Sequence, residues 1–150
     1  MKGKITMDFK SLGISENTIN ILKKSGITTP TPIQKESIKL IKEGKDVIAE
    51  AQTGTGKTLA YLLPIFEKID TSKRETQALI LAPTHELVMQ ITNQVELLAK
   101  NAELSVTSLA LIGEVNIQKQ IKNIKAVKPH IVIGSCGRVL DLIKQKKLKS

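Results

Sequence analysis

A chain of 150 residues with 41% hydrophobic and 25% charged side chains has the length of about one domain and enough apolar surface for a core, which excludes a disordered tail. Its 23 lysines and arginines against 14 acids leave a net charge of +9, the sign of a partner for polyanions or of a lysine-rich solvated surface. With 2% aromatics (Phe9, Tyr61 and Phe66) and one cysteine, Cys136, it excludes a single-strand binder built on stacked aromatic platforms, a disulfide framework and a cysteine-bound metal cluster. Apolar stretches such as Ala78 to Pro83 fall far short of the roughly 20 residues of a membrane span, so no membrane partner is expected. Met1-Lys2-Gly3-Lys4 is followed by no apolar signal core, and a cytoplasmic location is expected.

Residues 1 to 14 read as an extended segment carrying Phe9, Leu12 and Ile14. Ser15 is placed to cap a helix with apolar Ile19, Ile21 and Leu22, which Gly26 ends. Thr31 caps the next helix, Pro32 suits its first turn and Gln34 stands at the capping-box position, with Ile33, Ile38, Leu40 and Ile41 continuing to Gly44. Strand signals recur at Asp46 to Ala49, Gln77 to Ala82, Ser105 to Leu111 and His130 to Gly134, mostly as continuous apolar runs of the kind covered on both faces. Helical patterns separate them at Lys57 to Ile69, Thr84 to Lys100, Asn116 to Lys125 and Gly137 to Lys146. Strands alternating with helices predict an α/β three-layer sandwich on a parallel sheet, with ligand sites at the carboxyl ends of the strands. Residues 1–45 read as an amino-terminal helical region and 46–150 as the main α/β lobe, within one domain.

Between the Val47-Ile48-Ala49 run and the helix that starts near Leu59 lies Ala51-Gln52-Thr53-Gly54-Thr55-Gly56-Lys57-Thr58. A strand, a glycine-rich turn and a helix start in this order make a phosphate-binding loop: backbone N–H groups converge on phosphate, Lys57 adds a charge, and Thr58 offers a hydroxyl to Mg²⁺. The strict pattern G-x-x-x-x-G-K-[ST] is not met, because Ala51 stands at its first glycine. The bland reading of the octet is a tight strand-to-helix connection.

Four stretches, in order, resemble the DEAD-box family of ATP-dependent RNA helicases. Gly26 to Gln34 looks like that family's Q motif, with Phe9 seventeen residues before Gly26, where the family places an upstream aromatic. Ala51 to Thr58 looks like motif I, which commonly has Ala where the strict phosphate-loop pattern fails. Pro83-Thr84-His85-Glu86-Leu87 looks like motif Ia, and the stretch Ile131 to Leu142, with Ser135-Cys136-Gly137-Arg138, like that around motif Ib. The resemblance implies a RecA-like phosphate-loop lobe that takes ATP and Mg²⁺. Phe9, Thr29, Gln34, Gln52, Thr53, Gly54, Thr55, Gly56, Lys57 and Thr58 would hold the nucleotide, Lys57 and Thr58 would serve the chemistry, and Thr58 would hold the metal. Gln34 would pair with adenine through its amide, or else complete a capping box; Phe9 would stack on the base, or else anchor the first helix.

RNA is the partner that the resemblance implies, gripped by its sugar-phosphate backbone independently of base sequence through Pro83, Thr84, His85, Gly113, Gly137 and Arg138. Gly137 and Arg138 can equally be a helix start with a solvated arginine. This half of the pattern departs from the family: His85 stands for the usual Arg, Glu114 for the second glycine of a Gly-Gly turn, and Ser135-Cys136 for Thr-Pro. His lacks the bidentate guanidinium fork, and Glu114 brings negative charge to where phosphate would approach.

The 150 residues contain no Asp-Glu-Ala-Asp, no Ser-Ala-Thr motif and no second lobe, so the lobe is expected to be incomplete and to bind ATP without hydrolysing it. Two other readings compete with the amino-terminal part of a helicase. One is a complete but degenerate non-catalytic ATP-binding or interaction module, which the altered motifs favour. The other is a phosphate-loop enzyme of another class, such as a kinase, which gives no reason for Phe9, Gln34 or the Pro83 to Leu87 stretch.

Overall fold

The computed structural model describes residues 7–54 and 56–148. The chain forms two compact units, Met1–Lys68 and Ile69–Ser150.

The first unit holds helices α1 (Glu16–Lys24), α2 (Pro32–Lys42) and α3 (Lys57–Lys68). Ser15 caps α1 by accepting from the Thr18 N–H, and Gly26 leaves the helix with φ of +79°, a conformation that glycine adopts without a Cβ penalty. Of the expected extended segment at 1–14, residues 1–6 lie outside the described residues, and 7–14 form turns instead. Leu12 and Ile14 donate back to the Asp8 and Phe9 carbonyls, and the Asp8 carboxylate accepts the Ser11 N–H at 2.8 Å, an Asx-type contact that outcompetes extension. Helix α3 is tied down from both ends of the unit: Glu67 accepts the Ser15 N–H at 3.0 Å, and the Lys68 ammonium donates to the Ile41 carbonyl at the end of α2 at 2.9 Å.

The strand expected at Asp46 to Ala49 does not form. Residues 45–50 carry no ladder pairing, and Ile48 is fully exposed. An apolar run becomes a strand only where a neighbour takes its N–H and C=O groups, and among the described residues none does so here.

The second unit is built on strands β1 (Ala78–Ala82), β2 (Ser108–Leu111) and β3 (Ile131–Ser135), all parallel, in the order β1-β3-β2, with helices α4 (His85–Asn101), α5 (Ile117–Val127) and α6 (Cys136–Lys144). Register places Leu79, Val132 and Leu109 in one row and Ile80, Ile133 and Ala110 in the next, so successive rows face opposite sides of the sheet. Helix α4 lies against all three strands, while α5 lies against β2 and α6 against β3. Leu111, Ile121, Val132, Val139 and Leu142 make the core between the sheet and those last two helices. The α/β three-layer arrangement on a parallel sheet is therefore realised within this unit. The central strand β3 is buried from Ile131 through Gly134, as its continuous apolar run predicts.

Gly134 lets α6 reach the sheet, because a Cβ there would meet Val139 Cγ2 at 2.5 Å and the Leu111 carbonyl oxygen at 3.0 Å. The backbone oxygen cannot yield as a side chain can. Gly134→Ala is expected to cost about 1–3 kcal/mol by overpacking, read as a lowered midpoint of thermal or urea unfolding. An unchanged midpoint would show that the two layers are free to separate.

Candidate functional site

The Ala51 to Thr58 loop enters α3 through two glycines in the left-handed region, Gly54 at φ +81° and Gly56 at φ +86°, and the helix begins at Lys57. Lys57 and Thr58 therefore occupy the first turn of α3, whose N–H groups have no partner within the helix and whose dipole is positive. The Lys57 ammonium donates to the Ala51 carbonyl, folding the side chain back over the turn. Gln52, Thr53 and Gly54 are exposed, while Thr55 lies outside the described residues. Thr58 is half-buried and bonded to the Tyr61 side chain; burial pushes the Tyr61 phenol up from its ordinary pKa, and that bond opposes the shift. The donor set fits a triphosphate and Mg²⁺ in kind, offering a cation, a hydroxyl and a helix start behind two turn glycines. Among the described residues no three His, Cys, Asp or Glu side chains gather as a metal cluster, so a metal here would depend on Thr58, phosphate and water.

Gln34 is the clasp of this loop. Its Oε1 accepts the Thr31 N–H at 3.0 Å and its Nε2 donates to the Gly56 carbonyl at 3.1 Å, leaving the residue 2% exposed. Gly56 has no room for a side chain, since a Cβ there would overlap the Gln34 amide and press on Thr31. The Gln34 half of the capping box is thus made, and the same amide also reaches the Ala51 to Thr58 loop. The Thr31 hydroxyl is buried beside it with no hydrogen-bond partner among the described residues.

The remaining residues offered to a nucleotide lie differently. Phe9 is 1% exposed, the core position of its two readings, with no ring face open for a base to stack on. Thr29 is at the surface.

The residues offered to an RNA backbone follow the carboxyl ends of β1, β2 and β3. Pro83 is exposed; Thr84 caps α4 by accepting the Leu87 N–H at 3.1 Å; Gly113 and Gly137 are exposed. His85 opens α4, and its Nδ1 lies 2.7 Å from Glu114 Oε2. Two of the three departures from the family pattern are therefore partners of each other. Arg138 is half-buried and engaged with its own chain. Its guanidinium donates to the Val115 carbonyl at 2.7 Å, to Gln120 Oε1 at 2.9 Å and to the Gly113 carbonyl at 3.0 Å. Gln120, 2% exposed, completes the brace by donating to the Ile112 carbonyl at 2.9 Å.

Sequence reasoning missed Gln120 and also His130. The latter is 4% exposed and sits where β2 and β3 begin, its Nδ1 accepting the Thr107 N–H at 3.0 Å. A buried histidine one residue before a buried strand leaves no periodic signal, and the two residues that Gln120 joins lie 8 and 18 positions away. His130→Ala would leave the Thr107 N–H without its side-chain acceptor and open a cavity, with an expected cost of about 1–3 kcal/mol in urea unfolding. His130→Asn, which keeps an acceptor near the same place, is expected to recover part of it; equal loss in both variants would assign the effect to packing.

The family model for DEAD/DEAH box helicases matches residues 31–150. A probable ATP-dependent RNA helicase of Bacillus subtilis, YfmL, is 51% identical over 125 residues, covering 83% of this chain and 32% of the relative. The DEAD-box ATP-dependent RNA helicase CshC of Bacillus cereus is 49% identical over 127 residues, covering 85% of this chain and 32% of the relative. The crystal structure of a DEAD box protein from the hyperthermophile Methanococcus jannaschii superposes with a TM-score of 0.86 at 32% identity, covering 95% of this chain and 38% of that one. The chain spans about a third of the length of the curated relatives it matches, 32% in each case.

Proposed function

The chain belongs to the DEAD/DEAH box helicase family, and from that premise we propose that it is the ATP-binding amino-terminal part of a DEAD-box RNA helicase. One observation carries the reading: Lys57 and Thr58 open α3 directly behind two left-handed glycines, and Gln34 is fastened to the same loop. The β- and γ-phosphates would take the Lys57 ammonium in place of the Ala51 carbonyl, and Thr58 would hold Mg²⁺, which supplies charge neutralisation on the phosphates.

Adenine is the favoured base. The Gln34 amide spends one of two lone pairs on Thr31 and one of two N–H donors on Gly56, so one acceptor and one donor remain, which match the donor and acceptor edge of adenine. Guanine presents two acceptors, N7 and O6, at the same edge and leaves the Gln34 oxygen without a donor. Because the residue is 2% exposed, base reading asks the first turn of α2 to move. The test is titration of labelled ATP and GTP against wild type and Gln34→Ala. Wild type is expected to prefer ATP, and the variant to lose the preference even where overall affinity also falls. Equal binding of both nucleotides by wild type would overturn the assignment.

Catalysis belongs to the parent protein in this reading, with local unwinding of RNA duplexes as its activity. The 150-residue chain is expected to release no phosphate from ATP above background, with or without RNA, since it carries no Asp-Glu-Ala-Asp carboxylates to hold Mg²⁺ and orient water. RNA-stimulated release that vanishes in Lys57→Ala would refute this. A second reading, a degenerate non-catalytic ATP-binding or interaction module, draws support from the His85 and Glu114 pair, which replaces two of the family's backbone-contact positions with a self-contact. An in-frame Asp-Glu-Ala-Asp downstream of codon 150 supports the helicase part, and a stop codon supports the module.

A further inference from the structure

The loop after β2 is held from beneath. Arg138 and Gln120 together bind the carbonyls of Ile112, Gly113 and Val115, so three of the four residues from 112 to 115 are fixed through their backbones. The fourth, Glu114, points its carboxylate across to His85, with an Oε2 to Nδ1 distance of 2.7 Å. That spacing requires the proton on Nδ1, so His85 is the donor and the carboxylate its acceptor. Both side chains remain substantially exposed, 43% for His85 and 71% for Glu114, so the contact is not walled off from an incoming anion. A carboxylate and a phosphate make the same demand on the imidazole, an oxygen acceptor for Nδ1–H, and the ring can serve only one of them with that proton.

We propose that Glu114, delivered to His85 by the Arg138 and Gln120 brace, is an intramolecular competitor for phosphate, so that this chain grips an RNA backbone only after the His85–Glu114 contact opens. The inference rests on the RNA-binding half of the proposed function. Arg138 is then a positioning residue that sets the competitor in place, and Glu114 tunes which polyanions are held, admitting those with enough phosphates to displace it. An exposed pair of this kind is cheap to open, so it weakens RNA binding without abolishing it.

The test is fluorescence anisotropy of a labelled single-stranded oligouridine at low ionic strength, with a double-mutant cycle on the 150-residue chain. Wild type, Glu114→Ala, His85→Ala and the double variant are compared, with Glu96→Ala on the exposed side of α4 as the control for removing one negative charge elsewhere. Glu114→Ala is expected to tighten binding about two- to fivefold, the range of an exposed ion pair, more than Glu96→Ala does and more than the same change does when His85 is already Ala. Equal tightening by Glu114→Ala and Glu96→Ala, or in both His85 backgrounds, would reduce Glu114 to bulk charge and overturn the inference while leaving RNA binding in place. Absence of binding by every protein would overturn the RNA reading itself, and the inference with it.

Discussion

Lys57→Ala is expected to lower ATP affinity roughly 10- to 150-fold, the range set by about 1.5–3 kcal/mol for a hydrogen bond to a charged group. The ammonium is the one full positive charge in the Ala51 to Thr58 octet, and the γ-phosphate end of the nucleotide concentrates the negative charge. The net loss is held below the gross strength of the contact, because the same ammonium already donates to the Ala51 carbonyl and must give that bond up on binding. The fold is expected to survive: Lys57 is exposed, and α3 is anchored through Glu67, Lys68 and its buried Leu62, Leu63 and Phe66. Calorimetric titration of Mg-ATP checks the affinity, and circular dichroism checks that helix content is kept. Binding that is unchanged in the variant would mean that phosphate is held elsewhere.

Local signals proved legible where a side chain satisfies its own neighbourhood. Ser15 caps the helix that the sequence placed after it, Thr84 and Asn116, read as the first residues of their helices, are the caps of α4 and α5, and Thr31, Pro32 and Gln34 mark the start of α2 as read. Continuous apolar runs found β1 and β3; the central strand β3 has no solvent face to alternate with, while β1, at the sheet edge, keeps Leu79 and Leu81 partly exposed. The same signal failed at Val47 to Ala49, where pairing depends on a partner that no local pattern reveals. It also overran β2, which begins at Ser108 instead of Ser105. The site divided along the same line. Gln34 was legible both as a capping residue and as a motif residue, and it serves the first role while also bonding the Gly56 carbonyl. Arg138 was read as a motif residue or as a solvated arginine at a helix start, and its three acceptors lie on a loop and a helix 18 to 25 residues away, beyond any local pattern. His85 and Glu114 were each visible as departures from a pattern. Their opposite chemistry was the one sequence signal that they belong together, and only the crossing of two loop ends makes it a contact.

Leu79→Lys with Leu81→Lys is expected to raise the dissociation constant for self-association of this chain about 10- to 100-fold. Strand β1 lies at the edge of the three-stranded sheet, with β3 on one side and no strand on the other among the described residues. Its Leu79 and Leu81 share the face that α5 and α6 cover at β2 and β3, and they remain 41% and 51% exposed where that cover stops. A row of unpaired N–H and C=O groups beside two open leucines is a template for a second strand. Full burial of a leucine contributes about 1.5–3 kcal/mol, and half of that for two half-exposed residues gives the expected change. Lys73, Arg74 and Glu75 before the strand and Pro83 after it limit how far such pairing extends, which favours small oligomers over fibrils. Sedimentation velocity across a concentration series is the measurement, with Leu97→Lys on α4, 59% exposed and away from the edge, as the control. Wild type is expected to associate as concentration rises, the double lysine variant to remain monomeric over the same range, and the Leu97 variant to follow wild type. A wild-type chain that is monomeric throughout and melts in one sharp transition would show that this edge is closed in solution.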